Sequence, residues 1–320
     1  MFIGDGNPGP YFENKDCYMG HKDWRARVVR FAERATNGEL VVLKKPHHRK
    51  KKEEGRWRIQ AVGRISGDYD YLEQFEDVEG WGLQHCRKVE WVCPQQETLT
   101  NGLSMGTFRR VLNSGVIEKA KQVWKEERKQ ESRYIPPPAR KLSDEDLVEG
   151  LIENGLRPAN AETVIQTIWQ VRRLARWYER YGRDLGEHEV RTFLIVPILL
   201  ALGWSEQRIK IEWKRTDMSF FHKPYSRGQQ PQMILESKRM REGLGYAERQ
   251  AVRYAKQFPG CHRLVASDGI RYQLYVRRDS DWNVKGDFKA YMNLTNLKNR
   301  HPYLEEVGGA PDLFISLMPN

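Results

Sequence analysis

Three side chains in one stretch of the 320-residue chain have the types and spacing to hold a hard cation and meet a phosphate: Asp217, Glu236 and Lys238. Asp217 lies in Trp213-Lys-Arg-Thr-Asp-Met-Ser-Phe-Phe221, whose loose alternation of polar and apolar residues predicts a half-buried strand. Glu236 and Lys238 close Met233-Ile-Leu-Glu-Ser-Lys238, where period-2 alternation puts both on one face and Ser237 on the other. Tyr225-Ser-Arg-Gly-Gln-Gln-Pro231 between them is turn material, so a hairpin is expected that sets Asp217 beside Glu236. Two carboxylates held at one point suit Mg²⁺, with Mn²⁺ as the alternative ion. Such an ion polarises a phosphoryl oxygen and acidifies a water, and the lysine ammonium orients that water or stabilises the pentacovalent phosphate. Taken bare, Asp…Glu-x-Lys also describes an edge hairpin with solvated charges.

The flanks add weight. Upstream, Glu187-His-Glu-Val-Arg-Thr-Phe-Leu-Ile-Val-Pro-Ile-Leu-Leu-Ala-Leu-Gly-Trp204 carries apolar residues at helical spacing and ends at a plausible Gly203-Trp204 cap. Downstream come a helical stretch with Gln250-Ala-Val-Arg-Tyr254, then Arg263-Leu-Val-Ala-Ser-Asp-Gly269 and Tyr272-Gln-Leu-Tyr-Val276. This ordered set, over roughly 183 to 278, resembles the PD-(D/E)xK nucleases, and within them the nuclease domains of type I restriction motor subunits and modification-dependent restriction enzymes. The resemblance implies that Asp217 and Glu236 are metal-binding carboxylates, Lys238 the catalytic lysine and Glu187 the acidic residue of the first helix that joins the metal set, with Glu189 as its alternative. It implies a positioning and DNA-contact role for Gln250 and Tyr254. Thr216 stands where the family name expects proline, and Met218-Ser219 replaces the more usual tyrosine and small residue; neither change removes a charge.

A net charge of +11 points to a polyanionic partner, and nucleic acid is favoured over membrane because no run of 18 apolar residues and no secretory signal is present. Cys17, Cys86, Cys93 and Cys261 have no Cys-x-x-Cys pair or zinc spacing, which fits a reduced, cytoplasmic protein with free thiols. At this length and 39% hydrophobic residues, two domains are expected.

Along the chain, residues 1–20 are rich in Gly, Asn and Pro and are expected to form an irregular arm. A helix from Trp24 to Thr36 precedes short strands at Leu40–Leu43, Trp57–Ile65 and Arg87–Trp91, a pattern of small-barrel type. Val62-Gly-Arg-Ile-Ser-Gly-Asp-Tyr-Asp-Tyr71 and His85-Cys-Arg-Lys-Val-Glu-Trp91 are similar to the EVE and PUA-like barrels that precede nuclease domains in modification-dependent restriction proteins. Such barrels hold a flipped base among aromatic rings, which makes Tyr69, Tyr71 and Trp91 candidate nucleic-acid contacts, although ordinary barrel core is the plainer reading of each. The family's opening strand has no evident counterpart before Tyr18, so either Met1 is a late start or the barrel is altered. Lys50, Lys51 and Lys52 sit in a basic loop suited to phosphate contact.

Residues from Thr98 to Gly182 are expected to be mostly helical, with a basic helix pair over 105–134, a Pro136-Pro-Pro138 linker and a helix capped by Ser143-Asp-Glu-Asp146. A further helix over Thr163–Tyr181 should bury Ile165, Ile168, Val171, Leu174 and Trp177 on one stripe and buttress the nuclease sheet. The resulting expectation is an α+β chain: an EVE-type, PUA-like β-barrel reader over 1–97, a basic helical connector over 98–142, and a PD-(D/E)xK restriction-endonuclease-like α/β core over 143–320. The implied function is a Mg²⁺-dependent endonuclease of restriction or antiviral defence acting on DNA, base-modified DNA being one option. The alternative is a non-catalytic modified-nucleic-acid binding protein with a degenerate nuclease core. A homodimer would serve double-strand cleavage, and any ATPase must be a partner, since no Gly-x-x-x-x-Gly-Lys-Ser/Thr occurs.

Overall fold

The computed structural model describes residues 1–3, 9–20, 27–46, 57–101, 103, 108–125, 129–130, 135–181, 185–240, 244, 252–279 and 281–319. Lys50, Lys51, Lys52 and Gln250 lie outside the described residues. The chain divides into two compact units, Met1–Glu76 with Trp81–Ile135, and Asp77–Gly80 with Pro136–Asn320. Each is a sheet with helices packed on it, so the chain is α+β. The expected connector 98–142 is shared between the two units. Among the described residues no helix is long and apolar enough to cross a membrane.

In the first unit, β1 (Phe2–Ile3), β2 (Leu40–Pro46), β3 (Trp57–Tyr71) and β4 (His85–Val92) run in the order β1-β4-β3-β2. Strand β5 (Thr98–Thr100) pairs with β3, and β6 (Lys129–Gln130) with β4. Trp57, Ile59 and Ala61 turn inward while Arg58 and Gln60 turn out, the alternation of a sheet with one covered face. Among the described residues the strands form an antiparallel sheet, bulged between Ile65 and Tyr69, that closes no ring. The first twenty residues are more ordered than their composition suggests. Phe2 and Ile3 pair with Cys86 and His85, Lys15–Gly20 form helix α1, and Tyr11 and Tyr18 are fully buried. Thr98–Thr100 are strand rather than helix. Among the described residues of 105–134 one helix forms, α2 (Ser114–Lys125), which lays Val116, Ala120 and Val123 inward. Leu112, just before it, is exposed.

The second unit is built on a sheet ordered β12-β11-β10-β9-β8-β7. Its strands are β7 (Ile209–Trp213), β8 (Thr216–Phe220), β9 (Met233–Ser237), β10 (Arg263–Ser267), β11 (Arg271–Val276) and β12 (Phe288–Asn293). Neighbours are antiparallel except β9 and β10, which are parallel, and both of these are buried along their whole length. Helices α3 (Asp144–Glu153), α4 (Pro158–Tyr181), α5 (187–201), α6 (Val284–Asp287) and α7 (Ala310–Leu317) accompany it. Ser143 Oγ accepts from the Asp146 amide and Asp146 accepts from the Ser143 amide, closing the expected capping box. Ile168, Val171, Leu194, Ile198, Leu313 and Phe314 join Met218, Leu235, Val265 and Leu274 in one core. Leu313, Phe314 and Leu317 of α7 are part of this core.

Two local features hold the strands in position. The stretch read as a single strand through Trp213–Phe221 reverses at Lys214 and Arg215, both with positive φ, so that Trp213 pairs with Thr216 in a two-residue turn. Neither residue is a glycine or asparagine; the Lys214 ammonium over the Trp213 ring at 4.5 Å and the Thr216 hydroxyl donating to Trp213 O offset the left-handed backbone. At the β10–β11 turn, Gly269 has φ +87° and backs onto α5: a Cβ there would lie 2.6 Å from Leu194 Cβ. Gly269→Ala should therefore destabilise the second unit by about 2 kcal/mol or more, from backbone strain plus overpacking, read as a lower urea midpoint with unchanged slope. An unchanged midpoint would show that α5 is not held by this contact.

Candidate active site

Strand β8 pairs with β9 in the register Met218↔Leu235, and one further step sets Asp217 across from Glu236, as the turn-and-strand reading expected. Asp217 Oδ2 accepts from both the amide and the hydroxyl of Ser237, at 2.7 and 2.8 Å. Ser237 thus clamps one carboxylate while its neighbours Glu236 and Lys238 carry the charges. Asp217 Oδ1 accepts from Arg191 Nη1 at 3.0 Å. Lys238 extends the β9–β10 ladder by donating its amide to Ser267 O, and its ammonium lies 3.4 Å from Glu236 Oε1 and 3.6 Å from Glu187 Oε1. Asp217, Glu236, Lys238 and Glu187 are therefore brought together. Glu189, the alternative to Glu187, accepts from the Gly186 amide as an N-terminal cap of α5. Tyr254 is half-buried in a helical turn after the β9 strand.

Arg191 is the member that sequence reading missed. Its side chain is 4% exposed although it carries a full charge, and it bridges Asp217 to Glu212 Oε1 at 3.0 Å, with His188 Nδ1 at 2.8 Å from Nη2. A stretch of π-helix, Val190–Ile195, lies in the middle of α5 and shifts the helical phase there. Glu212 faces Asp217 across the β7–β8 pair, so one guanidinium neutralises a carboxylate from each strand.

Glu236 is 1% exposed, and its Oε2 has no hydrogen-bond partner. Burial, then the neighbouring Asp217 charge, push its carboxyl up to about 8 against the opposing pull of Lys238. Among the described residues no three His, Cys, Asp or Glu side chains sit close enough to form a metal cluster, and the Lys238 ammonium contacts both Glu187 and Glu236. Within the expected set of Glu187, Asp217 and Glu236, the two strand carboxylates Asp217 and Glu236 form a facing pair. That pair fits a hard divalent ion: it offers carboxylate oxygens from adjacent strands, one of them buried and unpartnered.

In the first unit Tyr69 and Tyr71, expected to receive a base, both pack against His85. Tyr69 OH accepts from the Tyr11 amide at 3.0 Å and lies 2.7 Å from His85 Nδ1; Tyr18 OH lies 3.0 Å from His85 Nε2 and donates to Gly9 O. These bonds order the protons: Tyr69 donates to Nδ1, and Nε2–H donates to Tyr18. His85 is 1% exposed and burial pushes it down to about 4, so it is neutral in this chain of bonds. Tyr71 packs edge-on to His85 at 5.3 Å, and the Trp91 ring lies over Gly63, where a Cβ would meet it at 2.8 Å.

Both shifts are checkable. A His whose folded value is depressed lends stability above its unfolded value that is lost as pH falls from about 6.5 to 4; the His85 Cε1–H resonance should titrate with a midpoint near 4, and a midpoint near 6.5 contradicts the bond order above. Glu236 has the opposite sign, since a raised folded value stabilises below about 4.5 and loses that contribution as pH rises through 8. Glu236→Gln should accordingly raise the melting temperature of metal-free protein at pH 9 more than at pH 5. An equal change at both pH values would mean that Glu236 is ionised throughout.

A family model described as a domain of unknown function (DUF8426) matches residues 11–109. That stretch takes in Tyr11, Tyr18, Tyr69 and His85 and leaves out Asp217, Glu236 and Lys238. No curated protein and no solved structure matches the chain.

Proposed function

We propose that the second unit is a PD-(D/E)xK-type nuclease that hydrolyses phosphodiester bonds in DNA with a divalent cation, Mg²⁺ or Mn²⁺. The observation that carries this reading is the meeting of Asp217, Glu236 and Lys238 at one point, with one Glu236 oxygen buried and unpartnered. Asp217 and Glu236 would hold the ion, which supplies Lewis acidity toward the phosphoryl oxygen and an acidified water. Ser237 fixes the rotamer of Asp217 through two donors. Glu236 gives up its proton before it can ligate, so ion binding and proton release are linked. The Lys238 ammonium, steadied by Glu187 and Glu236, meets the negative charge that develops on the phosphate. The first unit is an EVE/PUA-like reader on this proposal, with a sheet that closes no ring among the described residues and with Tyr69 and Tyr71 packed against His85.

A second reading has its own support. Both oxygens of Asp217 are already engaged by Arg191 and Ser237, which suits a nuclease fold kept as a non-catalytic DNA clamp.

Plasmid, plain or cytosine-modified, incubated with the protein and Mg²⁺ or EDTA separates the two. The nuclease reading expects cleavage with Mg²⁺ only, lost by about a hundredfold or more in Asp217→Ala and Glu236→Gln, the equivalent of roughly 3 kcal/mol of barrier, with DNA binding retained. Lys238→Ala should fail at saturating Mg²⁺, and Lys238→Arg should not rescue it, because a planar guanidinium does not replace a compact ammonium. Cleavage should rise with pH toward 8 as Glu236 ionises. Calorimetry in two buffers should show Mg²⁺ uptake with proton release at pH 7. Neither cleavage nor Mg²⁺ uptake would leave the clamp, and equal cleavage of both plasmids would remove modification dependence.

A further inference from the structure

Helix α4 has a face that the core does not use. Ile168, Val171, Ala175 and Tyr178 are buried in the core, whereas Trp169, Trp177 and Tyr181 are exposed, at 53%, 43% and 62%. Trp177 was expected on the buried stripe with Leu174; the helix turns it outward. Arg173, Arg176 and Arg180 are exposed as well. With 3.6 residues per turn, the six lie within about 140° of arc, along a stripe about 18 Å long. From Trp169 to Tyr181 the sequence carries four arginines against one glutamate, Glu179. The fourth arginine, Arg172, points inward, donates to Leu294 O and faces Asp144, whose other oxygen takes the Trp169 indole N–H at 2.7 Å. Asp144 is thus paired, and it fixes the Trp169 ring. Trp177 and Tyr181 lie 5.1 Å apart as a tilted pair.

Three large rings in water, interleaved with three guanidinium groups, match a partner that offers planar apolar surfaces and negative charge at short intervals. Nucleic-acid bases stack on such rings while phosphates meet the cations. A duplex keeps its base faces inside its own stack, so both halves of the stripe are used by unpaired bases alone. An anionic membrane would meet the charge, but a helix that lies in lipid needs an aliphatic face, and none of these six exposed residues is aliphatic. We infer that the Trp169–Tyr181 face of α4 binds an unpaired nucleic-acid strand. The inference does not require the carboxylate site to cut.

The test is fluorescence anisotropy of the full chain in EDTA, so that cleavage plays no part, with a labelled oligothymidine of about 20 nucleotides and a duplex of equal length. Trp169→Ala, Trp177→Ala and Tyr181→Ala should each weaken oligothymidine binding by about fivefold or more and leave duplex binding within twofold. Substituting Arg173, Arg176 and Arg180 together by Ala should flatten the log–log salt dependence by up to about two units. Should an aromatic variant melt early, Arg173→Glu with Arg180→Glu keeps the rings and should abolish oligothymidine binding, with Arg173→Lys and Arg180→Lys restoring most of it. Unchanged oligothymidine affinity in well-folded variants overturns the inference. Equal losses on duplex would make the face a plain phosphate anchor, and loss of sedimentation with phosphatidylserine vesicles alone would make it a lipid surface; either result also overturns it.

Discussion

Two cations, Arg191 and Lys238, are held among four carboxylates, Glu187, Glu212, Asp217 and Glu236, at the ends of β7, β8 and β9, and much of the second unit serves to keep them there. Unit charges about 4 Å apart interact by roughly 4 kcal/mol near a protein surface, which is comparable with a large part of a domain's net stability. Asp217 and Glu236 facing each other would repel by something of that order without compensation. The compensation is structural. The π-stretch of α5 brings Arg191 to Asp217, Gly269 lets that helix approach the β10–β11 turn, and the parallel β9–β10 pair fixes Lys238 by its amide.

Compensation is incomplete at Glu236. Lys238 is shared with Glu187, and the buried Oε2 has no partner, so the carboxyl is held protonated to well above the usual carboxylate range. An unsatisfied buried polar atom costs about 1–3 kcal/mol, and proteins rarely retain one without a use for it.

Much of the site was legible because strands and turns declare themselves locally. Turn residues between Phe221 and Met233 forced Asp217 and Glu236 onto neighbouring strands, and period-2 alternation put Lys238 with Glu236. The choice between Glu187 and Glu189 was not legible, since two residues on one helix differ in direction by far more than in sequence position. Arg191 was hidden for a related reason: one arginine inside an apolar helical run reads as the solvent side, and the π-stretch that turns it inward leaves no mark in composition. The reversal at Lys214–Arg215 was missed because neither residue is of the type that favours positive φ. In the first unit a two-residue strand, Phe2–Ile3, is too short to show a period, and its partner lies more than eighty positions away. Tyr69 and Tyr71 were recognised as candidate base contacts, but whether rings line an opening or fill a core depends on Tyr11, Tyr18 and His85, and no spacing rule connects those.

The engagement of Asp217 bears directly on how a nuclease of this build would work. Its Oδ2 is clamped by Ser237 and would stay in position when a cation arrives; its Oδ1 would have to exchange Arg191 for that cation. Arg191 is not stranded by such an exchange, because Glu212 accepts from its other nitrogen. Even so, replacing one cation by another in the same field yields less free energy than filling an empty carboxylate pair, so ion affinity in the free protein should be modest. A DNA phosphate bound beside the pair would add oxygen ligands and would draw on the positive charge of Lys238. Ion and substrate would then each tighten the other by the same factor, as linkage requires. On the proposed reading, a protein that binds Mg²⁺ weakly alone and more tightly with DNA follows from the Arg191–Asp217 pair without further assumption.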